Sequence, residues 1–190
     1  MVDVAGRTST GEDDAEREDG ASKGATVTVP MHLAEMNIGR LVADTEDPRV
    51  AEFMGALDRV NGMGKRMPGF VWMMEGSGEP GTGNTEAKIG GDPRFVSNLT
   101  VWESVETLEN FVWKTVHRQF YERRAEWFEV LGEMHFVMWW VPSGHRPTLE
   151  EGLSRLAHLK ERGDSDHAFG WKWLKEARLW QAGHCGVAAE

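Results

Sequence analysis

The stretch that decides the fold reads Arg94-Phe-Val-Ser-Asn-Leu-Thr-Val-Trp102-Glu-Ser104-Val-Glu-Thr-Leu-Glu-Asn-Phe-Val-Trp-Lys-Thr-Val-His117. Up to Trp102 the residues alternate between two sets, one more apolar than the other, which is typical of a strand with two differently filled faces. From Ser104, a residue type that caps helix N-termini, apolar residues recur at helical spacing. The stretch therefore predicts a strand over residues 94–102 and a long helix over residues 104–128.

Segments on either side complete a pattern of strands and helices. Residues 32–38 alternate as a strand, Asp47-Pro48 is a typical helix start, and residues 70–74 form a compact apolar run that suits a buried strand. Residues 135–141 supply a further strand that Pro142 ends. The predicted order is strand, helix, strand, strand, helix, strand, which is the ferredoxin-like split βαβ arrangement.

A C-terminal αβ extension follows this ferredoxin-like core of residues 31–146. Thr148, with Glu151 three residues later, predicts a helix start, and Gly163 predicts its end. A short strand over 168–171 and a terminal helix over 172–181 complete residues 147–190. In this α+β fold the helices cover one sheet face, so we expect a second copy to cover the other face as a dimeric α/β barrel.

The composition limits how many domains the chain can form and which partners it can bind. A chain of 190 residues with 40% apolar content supports one core, so residues 29–190 are expected to form one domain. Residues 1–28 have the composition of a disordered acidic leader, with seven acidic and three basic residues, hence four of the ten net negative charges. The negative charge disfavours nucleic acid and anionic membranes as partners.

The lone cysteine, Cys185, cannot form an internal disulfide, and no apolar run approaches the length of a membrane span. A reducing, cytoplasmic location is therefore predicted. The histidines never show His-x-x-x-His spacing, and no second cysteine is present to pair with Cys185, so no metal site is predicted.

Tryptophan is the unusual residue type, with nine tryptophans against one tyrosine. Two interpretations are open. The indoles build the core and a dimer interface, or they form the walls of a pocket for a planar ligand.

The predicted long helix carries an unusual stripe. Its members fall four, three, four and three residues apart: Trp113, His117, Phe120, Arg124 and Trp127. A histidine in such a stripe is a hydrogen-bonded packing residue, or it is a base or an iron ligand. His145, in the loop after the last core strand, is either a turn residue or a side chain aimed into a cleft.

Three segments carry a resemblance to a known superfamily. Residues 98–117, residues 32–38 and the run Trp139-Trp-Val-Pro-Ser-Gly-His-Arg-Pro-Thr148 look like an uncharacterised family within the antibiotic-biosynthesis-monooxygenase-like dimeric α/β barrels. The likeness covers roughly residues 31–170. The superfamily includes cofactor-free monooxygenases of polycyclic aromatics, haem-degrading oxygenases, haem enzymes and lactone-processing proteins, so the resemblance is more specific for fold than for activity.

The resemblance implies a small oxidoreductase that binds a planar aromatic or polyketide-like molecule and oxidises it with dioxygen, without a cofactor. His117 would remove a proton, Asn98 would stabilise the oxyanion, and Trp102 would complete the catalytic group. The substrate would be bound by a wider set of side chains: Trp113, Phe120, Arg124, Trp139, Trp140 and His145. The alternatives are a haem protein with His117 as axial ligand and a non-catalytic, small-molecule-binding or stress-related dimeric module.

Overall fold

The computed structural model describes residues 29–76, 89–131 and 135–184. Four strands form one open antiparallel sheet: β1 (Met31–Arg40), β2 (Phe70–Met73), β3 (Phe95–Trp102) and β4 (Phe136–Pro142). Their order in the sheet is β2-β3-β1-β4. The predicted α+β class is confirmed. The predicted leader of residues 1–28 and Cys185 lie outside the described residues.

Five α-helices of the described chain flank the sheet: α1 (Ala51–Gly64), α2 (Val105–Lys114), α3 (His117–Glu122), α4 (Leu149–Arg162) and α5 (Arg178–His184). None of them is long and apolar enough to cross a bilayer. Residues 168–171, predicted as a strand, contribute two isolated bridges, one from Phe169 to Met138 at the β4 edge and one from Ala168 to Ser165. The predicted terminal helix is shorter, beginning at Arg178.

The predicted long helix over residues 104–128 is wrong, because the helix breaks at Thr115. The Thr115 backbone is extended, with φ −120° and ψ −177°. Its hydroxyl donates to the Phe111 carbonyl at 2.6 Å and accepts from the His117 N–H at 3.2 Å, which replaces helical hydrogen bonds. The predicted stripe is therefore divided between α2, α3 and the turn after α3, and its side chains do not share one helix face.

Of the predicted helix starts, Ser104 caps α2 as predicted, whereas the other two differ in outcome. Asp47 does not cap α1. Its carboxylate accepts from the Arg49 N–H at 2.9 Å in a turn, and α1 begins at Ala51. Thr148 does cap α4, since its hydroxyl accepts from the Glu151 N–H at 3.1 Å. Gly163, with φ 76°, ends α4 as predicted.

Both faces of the sheet are covered within one chain. One face, here the α1/α2 face, packs side chains such as Leu33 and Trp102 against Leu108 and Phe111 of α2. The opposite face, here the α4 face, is apolar and packs against α4; its sheet members are Ala34, Met36, Ile38, Leu99, Val101, Val137, Trp139 and Val141.

The α4 helix lies very close to the sheet. A Cβ added at Gly152 would overlap Met36 Sδ, so a larger residue there would require the Met36 side chain to shift. The face that we expected a second copy to cover is thus covered by α4 of the same chain. The homodimer stays a prediction, but an uncovered face is not its physical cause.

Candidate functional site

Along β1 and β3 the α1/α2 face is apolar at both ends and polar in the middle. At one end Leu33 and Trp102 belong to a buried cluster, and at the other end Leu41 and Val96 belong to a second buried cluster. Between them lie two cross-strand pairs, Glu35 opposite Thr100 and Asn37 opposite Asn98. These four residues are referred to below as the polar strip.

Glu35 is the central residue of the polar strip and is only 4% exposed. Its Oε1 accepts a hydrogen bond from the Thr100 hydroxyl at 3.1 Å, and that hydroxyl oxygen accepts from Trp102 Nε1 at 2.9 Å. The Asn37 side chain also bonds to Glu35. Oε2 is buried and has no partner among the described residues. A buried carboxyl oxygen without a partner is costly, which marks this position as a candidate site.

The surroundings of Glu35 shift its acidity strongly. Burial raises the pKa of Glu35 to about 8, against the hydrogen bonds from Thr100 and Asn37, which lower it. No cation contributes to this shift within the described chain. Glu35 is therefore mostly protonated at neutral pH and can both accept and donate a proton near that pH.

The α1 helix packs against the apolar clusters at both ends of the polar strip. Phe53 of its first half packs with the cluster around Leu41, and Met63 of its last half packs with the cluster around Trp102. Of its 14 residues, two are buried, Ala56 and Gly64. Few residues of α1 are therefore held by complete burial.

His117 lies at the end of a row of rings that starts beside the polar strip. The ring centroids of Trp102 and Phe111 are 5.3 Å apart, and those of Phe111 and His117 are 4.9 Å apart. Burial lowers the pKa of His117 to about 4, partly opposed by a hydrogen bond to the Val112 backbone. Its Nδ1 is buried and has no partner in the described chain. His117 is thus neutral at pH 7 and a weaker base than Glu35.

Three other predicted site residues lie away from the strip on α2, α3 and the following turn. The Trp113 ring contacts Tyr121 at 5.2 Å, and the Phe120 ring contacts Trp127 at 5.5 Å. The Arg124 guanidinium lies 4.4 Å from the Tyr121 ring centroid. These side chains pack locally and do not converge with Asn98 and Trp102.

The last three predicted site residues lie on β4 and in the loop after it. Trp139 is fully buried on the α4 face, where its Nε1 donates to Glu151 Oε1 at 2.9 Å. His145 Nε2 lies 2.7 Å from Glu151 Oε2. Trp140 points to the α1/α2 face opposite Leu33 but is 37% exposed. Trp139 and His145 are therefore separated from the polar strip by the sheet.

Comparison with known families gives one assignment. A family model described as a domain of unknown function, DUF3291, matches residues 32–184. The chain belongs to this family. No curated protein matches it. The DUF3291 match spans the sheet and all five helices, so the polar strip lies within the family domain. Within the described residues of this DUF3291 chain, no group of three or more acidic, histidine or cysteine side chains could hold a metal ion.

Sequence reasoning missed Glu35 although a signal was present. Glu35 is the only charged residue in the run from Leu33 to Gly39, and it shares a strand face with Leu33 and Asn37. A carboxylate at an inward position of a central strand is unusual, because ionised groups are rarely buried without a partner. The pairing with Thr100 becomes visible only when the register of β1 and β3 is known.

Proposed function

We propose that this DUF3291 chain is a small-molecule oxidoreductase of the monooxygenase-like kind, acting on a planar aromatic substrate at the polar strip. The observation that carries the proposal is Glu35, a buried carboxyl with a pKa of about 8 and an Oε2 without a partner in the described chain. Oxidation by dioxygen rests on the resemblance to the monooxygenase-like barrels. The acid–base chemistry rests on Glu35.

In this proposal ionised Glu35 removes a proton from an activated CH₂ group of the substrate, which leaves an electron-rich carbanion. The Asn98 amide, across the strand pair from Asn37, donates a hydrogen bond to the oxygen that carries the delocalised charge. Dioxygen then oxidises CH₂ to C=O, with one oxygen atom entering the product and the other leaving as water. Trp102 forms an aromatic wall at one end of the strip.

The base is Glu35 in this proposal in place of His117. A group with a pKa near neutral accepts and releases protons more readily at pH 7 than an imidazole with a pKa of about 4. A haem iron could reach the His117 imidazole only if neighbouring side chains moved, since the ring is buried and packs on Phe111. No step is therefore assigned to a haem iron.

The finer fold proposal is a ferredoxin-like core. The sheet order β2-β3-β1-β4, with α1 between β1 and β2 and α2 between β3 and β4, supports it. A dimeric barrel would have to form with α4 already on the second face. Sedimentation of a homodimer at micromolar concentration would support such an assembly, and a monomer of 21.3 kDa would remove it.

The test compares the wild type with Glu35→Gln in air and without oxygen, using polycyclic phenols and aromatic ketones with an activated CH₂ group. Glutamine keeps the size of the side chain and its bonds to Thr100 and Asn37. We expect oxygen uptake and a ketone product from the wild type, with a rate that rises up to about pH 8, and at least about 100-fold slower turnover in Glu35→Gln.

The matched control is Glu150→Gln, an exposed acidic residue on α4. Equal rates in Glu35→Gln and the wild type would remove Glu35 as the base. Ligands that bind without conversion in air would favour the non-catalytic binding module. A Soret band on addition of haemin, lost in His117→Ala, would favour the haem protein.

A further inference from the structure

A second concave region lies at the edge of the sheet, away from the polar strip. It is a cleft of about 380 Å³ with a lining of Lys65, Phe70, Val71, Trp72, Met73, Glu75 and Arg146. Trp72 pairs with Val101, a residue of the α4 face, whereas Glu35 belongs to the other face. The volume is in the range of sites for small organic ligands, about 300 to 1,000 Å³.

The cleft has an aromatic wall that a strand irregularity creates. The register of β2 against β3 shifts between Phe70 and Trp72. Phe70 stays on the α1/α2 face, where its ring meets Trp102 at 5.4 Å, while Trp72 packs partly against the core of the α4 face. Bulges at sheet edges commonly re-aim a side chain toward a binding site. Here the bulge leaves a half-buried indole lining the cleft.

The cleft also has a cation that no described carboxylate neutralises. Arg146 is exposed and makes no ion pair with any residue that the structure describes. Lys65 and Glu75, by contrast, neutralise each other at 2.6 Å. Among the described residues, the lining thus carries one positive charge without an ion-pair partner, in a chain whose net charge is −10. A guanidinium and an indole that line the same cleft suit an anion with a flat apolar body.

The backbone on both sides of Arg146 is held in place. A turn closes from the His145 N–H to the Pro142 carbonyl at 3.0 Å. On the other side Pro147 is buried and limits Arg146 to an extended conformation, and Thr148 caps α4. The guanidinium is therefore presented from a fixed backbone, which reduces the entropy lost when an anion binds.

We propose that this edge cleft binds a small planar aromatic carboxylate, with the carboxylate on Arg146 and the ring system against Trp72. The site is separate from the polar strip, so it does not depend on the oxidoreductase proposal. Arg146 supplies two parallel N–H donors to the two carboxylate oxygens, and the indole face supplies apolar contact. A neutral amide of the same shape lacks the charge and binds more weakly.

The experiment titrates the protein with 1-naphthoate and, separately, with 1-naphthamide, and follows the Trp72 indole N–H by NMR, assigned with Trp72→Phe. We expect naphthoate to shift the Trp72 signal at millimolar or lower concentration, and to bind at least about tenfold more tightly than the amide. Arg146→Gln should remove that preference, and Arg146→Lys should retain part of it. The control Arg118→Gln, on α3, should change nothing.

Each other outcome overturns the proposal. A Trp72 signal that does not move with millimolar naphthoate means that the cleft does not bind this class of anion. Equal naphthoate affinity in the wild type and Arg146→Gln means that Arg146 does not hold the carboxylate. Because Arg146 is exposed and outside the helices and strands, these variants should unfold at the wild-type temperature, so a loss of binding cannot be assigned to misfolding.

Discussion

On the α1/α2 face Glu35 lies at the centre of the sheet with neutral hydrogen-bond partners, whereas on the α4 face Glu151 reaches the sheet from its rim. Glu151 accepts from Trp139 Nε1, pairs with His145 and lies 3.5 Å from Arg155. Burial raises the pKa of Glu35 to about 8. The pKa of Glu151 is lowered, because the bonds to His145 and Trp139 and the charge of Arg155 together outweigh its partial burial.

The difference separates a carboxylate that stabilises the fold from one that weakens it. Glu151 ties α4 to β4 and is stabilised as an anion. Glu35 would be ionised in the unfolded chain at pH 7 but is held neutral in the folded chain, so folding costs free energy at that pH. Buried acids that cost folding free energy are common at functional sites, which is why Glu35 is the centre of the proposed site. The following predictions test this contrast.

The largest effect on stability is expected from truncating Trp139, at the centre of the α4 face. Trp139→Ala should lower the free energy of unfolding by about 3–5 kcal/mol, because a fully buried indole is lost and Glu151 loses its donor. Guanidinium denaturation measures this. Trp140→Ala is the adjacent control; at 37% exposure it should cost well under half as much. Similar losses in the two variants would contradict the burial of Trp139 beneath α4.

Replacing Glu35 should change the free energy of unfolding by an amount that depends strongly on pH. Its folded pKa of about 8 exceeds the ordinary value of 4.5, so its contribution to stability is full below pH 4.5 and is lost as the pH rises toward 8. Relative to the wild type, Glu35→Gln should therefore gain roughly 3 kcal/mol of stability between pH 5 and pH 8. Urea denaturation of both proteins across this range measures the gain. A difference that stays constant with pH would mean that Glu35 is ionised in the folded chain.

His117 should behave as a neutral packing group. His117→Ala is expected to lower the free energy of unfolding by about 1–3 kcal/mol, since the ring packs on Phe111 and bonds to Val112. By NMR its imidazole should remain uncharged from pH 8 down to about pH 5, because its pKa is about 4. His145→Ala is the comparison at an exposed histidine, and its cost should be limited to the loss of the pair with Glu151. An imidazole of His117 that titrates near pH 6.5 would show that it is solvated.

The smallest effect on stability is expected from replacing Glu151, at the edge of the α4 face. Glu151→Gln should cost about 1 kcal/mol at pH 7, since three partners lose a charged acceptor that is partly exposed to water. The pKa of Glu151 is lowered, so its contribution is present above about pH 4.5 and is lost as the pH falls below that value. Thermal melts at pH 7 and pH 3, with Glu150→Gln as the control, measure this. A cost that persists at pH 3 would argue against an ionic contribution.

Much of the fold could be predicted because local signals agree with the tertiary structure. The alternation of β3, with Asn98 and Trp102 on one face, is retained in the sheet. Thr148 and Gly163 act as cap and stop of α4 as their residue types predict. These signals depend on backbone chemistry within a few residues, which a sequence displays directly.

The rest depends on contacts that a sequence does not display. Helical spacing continues through Thr115, yet its hydroxyl bonds to Phe111 and His117 and ends α2, so a one-face stripe was wrong. Glu151 satisfied a capping pattern, but its side chain reaches Trp139 and His145. Asn98 and Trp102 were found from strand alternation, whereas Glu35 needed the register with Thr100. Long-range register and side-chain competition therefore limited the prediction of the site.

The position of β1 at the centre of the sheet has a consequence for how the chain is made. The β1 strand is synthesised before both of its partners, β3 and β4, and the pair Asn37 and Phe136 joins residues 99 positions apart. At a synthesis rate of about 5–20 residues per second, β1 waits roughly 5–20 s before its last partner emerges. Until β3 emerges both edges of β1 lack their native neighbours, and the edge that pairs with β4 lacks its neighbour for the whole interval. Nascent chains of this protein should therefore engage chaperones until β4 has been synthesised.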